Sequence, residues 1–446
     1  MRKTTKLSLL AATLLSICTV SQAEDLMDIY KEAYARDPVI QQYKAQRDAA
    51  YAAVDEATAA LLPQIDVTGS YTATRTNVSS ITHVRANNRN ASAGISLSQA
   101  LWQHSSWVNR SIAAKTAARA ELAYNDALQN LIVRVSAAYF AVLNANDALE
   151  YSKANNVALK NQLDEALRQL QVGLIAETDK LEAQAAYDLS TAAVINAENN
   201  LINSYEGLRT LIGRLVTVNE LKKLDTKRFS TPAVTKALQN IIKDAEANNL
   251  QLQQSIVDRD IAKDRIAQAK TGHEPTLNLV ASAQTGYTDY SHEVPGSSQT
   301  DGNSWSQSLG LNLNVPIYHG GSVSAQVEQA EHNYVAASQT LELAHRNLLT
   351  TVNNSYNNVN AAISSVRAYN QSVASAASAL DATRAGYEVG TRTMTDVLDA
   401  TQNLYNAMQQ AAAARYNYIN STLSLKYAEG ILQVQDIEDV NTALTK

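Results

Sequence analysis

Gln64-Ile65-Asp66-Val67-Thr68-Gly69-Ser70-Tyr71-Thr72-Ala73-Thr74-Arg75 changes character at every step. Ile65, Val67, Gly69, Tyr71 and Ala73 fall on one side and Asp66, Thr68, Ser70, Thr72 and Thr74 on the other. A period of two predicts a strand with one apolar and one wet face. Three further stretches share it: Ala91–Leu101, Thr276–Tyr287 and Ser304–Val315. Their lengths are close to the ~9–11 residues of a membrane-spanning strand. Trp102, Trp305 and Tyr318 stand near strand ends, where outer-membrane barrels carry aromatic girdles. Four strands cannot close a barrel, because the smallest have about eight. An open edge in hydrocarbon leaves backbone groups without partners. The pattern therefore predicts several chains sharing one barrel.

Outward from the strands, the chain is written twice. Asp28 to Gly213 recurs, diverged, as Asn240 to Gly430. Ile29, Lys31 and Ala33 match Ile241, Lys243 and Ala245; Pro63 matches Pro275, Tyr139 matches Tyr356, and Val172-Gly173 matches Val389-Gly390. Only the region between the strands changes length, so loops lie there, at Asn77–Asn90 and Ser291–Asn303. A unit this long is a duplicated half-protein rather than a solenoid module. The expected division is a leader at 1–23, a first repeat at 24–234 and a second at 235–446.

Each strand pair precedes a helical stretch, about Ser105–Gln171 and Gly321–Glu388. At 1.5 Å per residue each reaches roughly 100 Å. In the second, Tyr356, Val359, Ile363, Val366, Asn370, Val373, Ala377, Leu380, Arg384 and Tyr387 step alternately by three and four, a coiled-coil seam. In the first, Asn146, Lys153 and Lys160 interrupt it. Gly173 and Gly390 suit the left-handed residue after a helix end. Thr178-Asp179 and Thr393-x-Thr395-Asp396 are able to cap the helices that return. Gly320-Gly321 reads as a strand-to-helix hinge, with Trp107 packed at the same junction.

Arg2, Lys3 and Lys6 precede an apolar run, Leu7–Val20, and the small-x-small site Ser21-Gln22-Ala23. That is a secretory leader. Cys18, the one cysteine, lies inside it behind Ile17, which argues against lipid anchoring and thiolate metal sites. Without the leader the chain is more acidic than its formal −6, which speaks against nucleic acid. No spanning helix is expected outside the leader. His83, His104, His273, His292, His319, His332 and His345 show no ligand spacing, and phosphate loops and nucleophile elbows are missing. No catalytic residue, metal or cofactor is expected.

Six strings, in order, carry a resemblance: Leu61-Leu62-Pro63-Gln64; His273-Glu274-Pro275-Thr276-Leu277; Val315-Pro316-Ile317-Tyr318-His319-Gly320-Gly321; Gly386-Tyr387-Glu388-Val389-Gly390-Thr391-Arg392-Thr393; Asp396-Val397-Leu398-Asp399-Ala400-Thr401; and Ala414-Arg415-Tyr416-Asn417-Tyr418. The chain resembles the TolC family of outer-membrane efflux ducts. The resemblance implies a mainly α chain with a transmembrane β-barrel. Three copies would form a twelve-stranded barrel and a periplasmic tunnel of twelve helices. A mixed α/β belt would use Arg214–Thr235 and the segment after Gly430. It implies efflux of drugs and small molecules, type I protein secretion, or both, from the outer membrane of a Gram-negative cell. The implied partners are a periplasmic adaptor and an inner-membrane transporter of the RND or ABC class.

The same resemblance places a gate at the helical tips, with Thr178 and Asp179 on the first hairpin and Tyr387 and Arg392 on the second. The expected links are Asp179–Tyr387 and Thr178–Arg392. Arg384 stands where close relatives carry an acid, opposite Gln162. Asp396 and Asp399 match the carboxylates of the narrowest point. Asp179 and Glu182 have the same spacing, so spacing leaves both pairs open and only the resemblance selects the second. A trimeric coiled-coil adhesin is the rival, since it too pools four strands per chain. It keeps them together at the C-terminus, whereas these pairs are far apart.

Overall fold

The computed structural model describes residues 24–78, 84–290 and 301–444; the expected leader and Cys18 lie outside them. The chain runs twice through one order of elements. Helices α1 (Leu26–Arg36) and α2 (Pro38–Ala59) lead into strands β1 (Gln64–Val78) and β2 (Val84–Trp102), then α3 (His104–Gln171) and α4 (Glu177–Ile212). In the second round α5 (Leu238–Asn248) and α6 (Leu250–Lys270) lead into β3 (Thr276–Tyr290) and β4 (Gly302–Asn314), then α7 (Ser322–Glu388) and α8 (Met394–Glu429). A short α9 (Val434–Asn441) follows.

Local chemistry explains where the helices break. Asp37 precedes Pro38 and is extended, at φ −60° and ψ 119°, because proline disfavours the helical region one residue upstream. The Asp37 carboxylate accepts from the Val39 N–H at 3.0 Å and from Arg134 Nη2 at 2.5 Å. Asn249 holds the matching break, with Oδ1 accepting from the Leu252 N–H at 3.0 Å. Gly173, Gly213, Gly390 and Gly430 all have φ between 74° and 79°, the left-handed helix stop.

The four strands form one antiparallel sheet in the order β1-β2-β3-β4. Ile65 faces Leu97, which faces Ala281, which faces Leu309; on the next row, Asp66, Ser96, Ser282 and Ser308 align. The alternation in sequence is thus a real division of faces. On the wet face Ser70 and Ser92 hydroxyls bond at 2.7 Å and Ser282 and Ser308 at 2.8 Å. On the other, Ile65, Val67, Tyr71, Leu309, Leu311 and Leu313 are exposed. The strands outrun their expected ends. Most of the expected loop at Asn77–Asn90 is ladder, with Asn77 paired to Arg85 and Val78 to Val84. Polar Asn and Arg hid this extension, because the alternation signal is written in apolar residues. Of the expected loop Ser291–Asn303, residues 291–300 lie outside the described residues, and β4 already begins at Gly302.

Where strand becomes helix, the Trp102 and Trp107 rings meet edge-on at 5.2 Å, and His104 Nδ1 lies 2.8 Å from Glu274 Oε2. Gly320 and Gly321 take φ of 61° and 83°, so the second junction turns on two left-handed residues. Glu24 bridges Leu221 and Leu224 bridges Leu444, within the stretches expected to form the belt. The principal core sits inside it. Phe140 lies between Tyr139 (5.4 Å) and Tyr416 (5.7 Å), and the Tyr139 hydroxyl donates to the Lys222 carbonyl at 2.7 Å. The Tyr416 hydroxyl donates to Asp147 at 2.7 Å; burial pushes this carboxyl above its ordinary range.

The α7 seam holds at Val359, Val366 and Leu380, which are buried, while Asn370 and Arg384 are exposed. In α3 the seam runs through Ser152, Asn155, Leu159, Leu163 and Ala166, all buried. Lys153 and Lys160 lie just off it, and Lys153 bridges Glu198 at 2.9 Å. Among the described residues no helix is long and apolar enough to cross a membrane.

Gly213 and Gly430 share a conformation and differ in surroundings. A Cβ on Gly430 would lie 2.5 Å from the Asn248 carbonyl oxygen, whereas one on Gly213 would meet nothing within 4 Å. Gly213→Ala is expected to cost about 1–2 kcal/mol, the left-handed penalty. Gly430→Ala adds overpacking of about 1–3 kcal/mol. Thermal unfolding of the extracted protein ranks them; equal losses would mean the Asn248 contact relaxes freely.

Candidate functional site at the helical tips

The two long hairpins end in turns built alike. The Leu174 N–H donates to the Gln169 carbonyl at 2.9 Å and the Thr391 N–H to the Gly386 carbonyl at 2.8 Å, the six-to-one bond of a glycine-stopped helix. Val172, Leu174 and Val389 are exposed on these turns. The restarts differ. Thr393 caps α8, its hydroxyl accepting from the Asp396 N–H at 3.2 Å while Asp396 Oδ2 accepts from the Thr393 N–H at 2.9 Å. In α4 the cap position is Ala176, not Thr178, and only the return bond forms, from the Ala176 N–H to Asp179 Oδ2 at 3.3 Å. The helix begins one residue before Thr178, which places that hydroxyl inside the first turn rather than ahead of it.

Two small apolar clusters hold the tips, one between the hairpins and one within the second. Leu159, Leu163 and Ala166 of α3 pack with Ala183 of α4 and with Met394 and Leu398 of α8. Leu380 of α7 packs with Val397 and Leu404 of α8, and Tyr387 touches both clusters. Beside them lies a cavity of about 390 Å³ lined by Gln162, Glu165, Gln169, Arg384 and Tyr387 among others.

Polar links cross the tip with partners other than those expected. The Tyr387 hydroxyl donates to Gln169 Oε1 at 2.8 Å, not to Asp179. Burial raises the phenol's pKa, and the nearby Asp179 and Glu165 charges add to it, so Asp179 is close enough to be felt without being the acceptor. Gln162 Nε2 donates to Thr401 Oγ1 at 2.9 Å, leaving Gln162 Oε1 buried without a partner. Arg384 lines the same cavity and, among the described residues, makes no ion pair. Arg392 does not reach Thr178 within the protomer; its aliphatic stem lies against Gly386, where a Cβ would come within 2.7 Å of its Cγ. Thr395 Oγ1 donates to Glu182 Oε2, so this acid of the first pair is engaged between hairpins. Asp399 is exposed. Bonds from the Thr393 backbone N–H and then its hydroxyl hold the Asp396 carboxyl below the ordinary carboxylate range.

Sequence reasoning missed Gln169, Thr401, Met394 and Leu398. The i, i+4 pair Met394 and Leu398 with Thr401 one turn on is a seam signal, partly masked by the acids Asp396 and Asp399 between them. Nothing in the sequence singles out Gln169. Among the described residues no cluster of His, Cys, Asp and Glu suits a metal ion.

A four-stranded sheet, open at β1 and β4 and continued by long helical hairpins, defines one protomer of a barrel-and-tunnel channel. The family model for outer membrane efflux proteins matches residues 29–214 and again 241–430. The chain is 42% identical over 441 residues to the outer membrane protein TolC of Salmonella enteritidis, covering 98% of this chain and 88% of that one. It is 28% identical to the alkaline protease secretion protein AprF of Pseudomonas aeruginosa, over 77% of this chain and 70% of that one. Among solved structures, the CmeC outer membrane channel of Campylobacter jejuni superposes with a TM-score of 0.77 at 18% identity, covering 94% of this chain and 90% of that one. The chain belongs to the outer membrane efflux protein family. The adhesin alternative finds no support in these likenesses.

Tyr387→Phe removes one hydroxyl and leaves the ring in place. It is expected to weaken the tip by about 1 kcal/mol. Hydrogen exchange of residues 386–393 should quicken about five-fold with the global melting temperature unchanged; unchanged exchange would mean the Gln169 bond holds nothing.

Proposed function

We propose that three copies act together as a passive exit duct of the outer membrane, serving efflux of small molecules and type I protein secretion. The observation that carries this reading is the sheet with two unpaired edges and an exposed apolar face. Pairing β4 of one copy with β1 of the next closes twelve strands, satisfies every ladder and turns the apolar face to lipid. The halves 24–234 and 235–446 then each supply one hairpin to a tunnel wall.

At the tips, Thr178, Asp179, Gln162, Arg384, Tyr387 and Arg392 stand around the joint between hairpins and form the gate. In the trimer Arg392 and Thr178 are free to bond across copies, and charge-assisted bonds of this kind are strong yet exchangeable. A periplasmic adaptor docking on the turns at Gly173 and Gly390 replaces them, and an inner-membrane transporter of the RND or ABC class supplies the energy and selects the cargo. The duct transforms nothing. Asp396 and Asp399, one turn apart on α8, give two rings of three carboxylates that attract cations.

Single-channel conductance in planar bilayers tests this. A small cation-selective current, blocked by a trivalent cation in wild type but not in Asp396→Ala/Asp399→Ala, is expected; equal block would move the constriction elsewhere. Arg392→Glu should raise the resting current, and an unchanged current would remove Arg392 from the gate. Because the Asp396 carboxyl is lowered, it stays ionised as pH falls through the ordinary carboxylate range. The Asp396 share of the block should therefore persist there, and Thr393→Ala, which removes the hydroxyl bond, should shift the loss of that share to higher pH.

A further inference from the structure

All four junctions with helices lie at one end of the sheet, at Gln64, Trp102, Thr276 and Asn314. That end is periplasmic in an outer-membrane duct, so the other end meets the outer leaflet. Read outward along the apolar face, the aliphatic rows give way to Trp305 and then to Tyr71 and Tyr287 on one row with Ala91. The next row of the same face holds Arg89, between Ala73 and Asp289, and the one after holds Arg75 opposite Asn87. Both arginines are exposed. Each row adds about 7 Å along the strand, or about 5 Å of height at the usual tilt. The guanidinium groups therefore stand just above the aromatic tier, where bilayer headgroups begin.

Arg75 and Arg89 are diagonal neighbours of an antiparallel ladder, within about 7–8 Å of each other. Two like charges so placed repel unless an anion lies between them. Among the described residues Arg75 has no hydrogen-bond or ion-pair partner, and Arg89 Nη1 reaches only Asp289 Oδ2, at 3.9 Å. Among the described residues the other acid at this level, Asp301, accepts from the Tyr290 N–H at 2.6 Å. A charge on the lipid face is costly at mid-membrane and close to neutral at the interface, and a guanidinium fork matches phosphate oxygens.

We propose that Arg75 and Arg89 form a lipid-facing clamp for the phosphate of an outer-leaflet glycolipid, one clamp per protomer. It fixes the height of the barrel in the bilayer and ties each copy to the lipid around it. The proposal rests on the outer-membrane barrel reading.

The test uses the intact detergent-extracted protein with bisphosphorylated lipid A as probe, read by native mass spectrometry and melting temperature. Wild type should retain the lipid and gain thermal stability, while dephosphorylated lipid A should do neither. Arg75→Gln/Arg89→Gln should bind about 30-fold more weakly, at roughly five-fold per interfacial arginine. Arg75→Lys/Arg89→Lys should bind between wild type and the Gln variant, keeping the charge and losing the fork, and Asp289→Asn should tighten binding. Equal affinity in the Gln double variant would overturn the clamp. So would matching stabilisation by millimolar inorganic phosphate, which would make it a free-anion site. Conductance separates the two readings: a wild type that forms no channel refutes the barrel, whereas a conducting Gln variant with undiminished lipid binding refutes only the clamp.

Discussion

Unpaired backbone at β1 and β4 is the constraint from which the rest follows. These strands run for 15 and 13 residues, and their outer N–H and C=O groups have no partner in the protomer. Water would satisfy them, but hydrocarbon does not, at several kcal/mol per group. The apolar face beside them requires hydrocarbon all the same. Only neighbouring copies reconcile the two demands, so association is a condition of insertion and not an ornament on a finished fold. Once copies stand around one axis, the hairpins that hang from each strand pair become the wall of a tube without further instruction.

Duplication supplied the parts, and divergence made the halves unequal. Asp37 and Asn249 occupy equivalent breaks, but the first is a buried carboxylate answered by Arg134. The second is an amide whose Nδ2 donates to the Ala428 carbonyl at 3.1 Å. The difference follows from what each faces, a long cation on α3 or the carbonyl end of α8. Gly213 and Gly430 diverge likewise: one stops a helix in open space, the other against backbone. A half-protein cannot therefore be exchanged for its counterpart without repacking the belt.

The strands, the long helices, the turns and the duplication were legible because each is periodic or punctuated. Alternation in Ile65–Ala73, three-four stepping in Tyr356–Tyr387 and glycines at helix ends are local signals with local causes. The strand extensions past Asn77 and before Asn90 were illegible, since a ladder can continue through Asn and Arg at no visible change of pattern. Family likeness alone brought Thr178, Asp179, Tyr387 and Arg392 together at the tips. Their actual partners were not legible at all. Whether Tyr387 meets Gln169 or Asp179 depends on the rotation of α7 against α3, which is set by packing of Met394, Leu163 and Leu380 and not by any spacing along the chain.

That packing also leaves the tips more weakly held than the belt. The belt shares one continuous core with Tyr139, Phe140 and Tyr416 at its centre; the tips have two small clusters and a few cross-hairpin bonds. Each such bond contributes about 0.5–1.5 kcal/mol net, so the polar latch totals only a few. Taking a two-state element from 1:99 to 99:1 requires about 5.5 kcal/mol of differential binding. Exposed Val172, Leu174 and Val389 offer a partner about 1.5–3 kcal/mol for each large aliphatic side chain fully buried, and only the part of that gain made in the parted state alone counts toward the shift. On the proposed reading the hairpins part while the belt stays folded, because the contacts that would yield are the ones outside the main core.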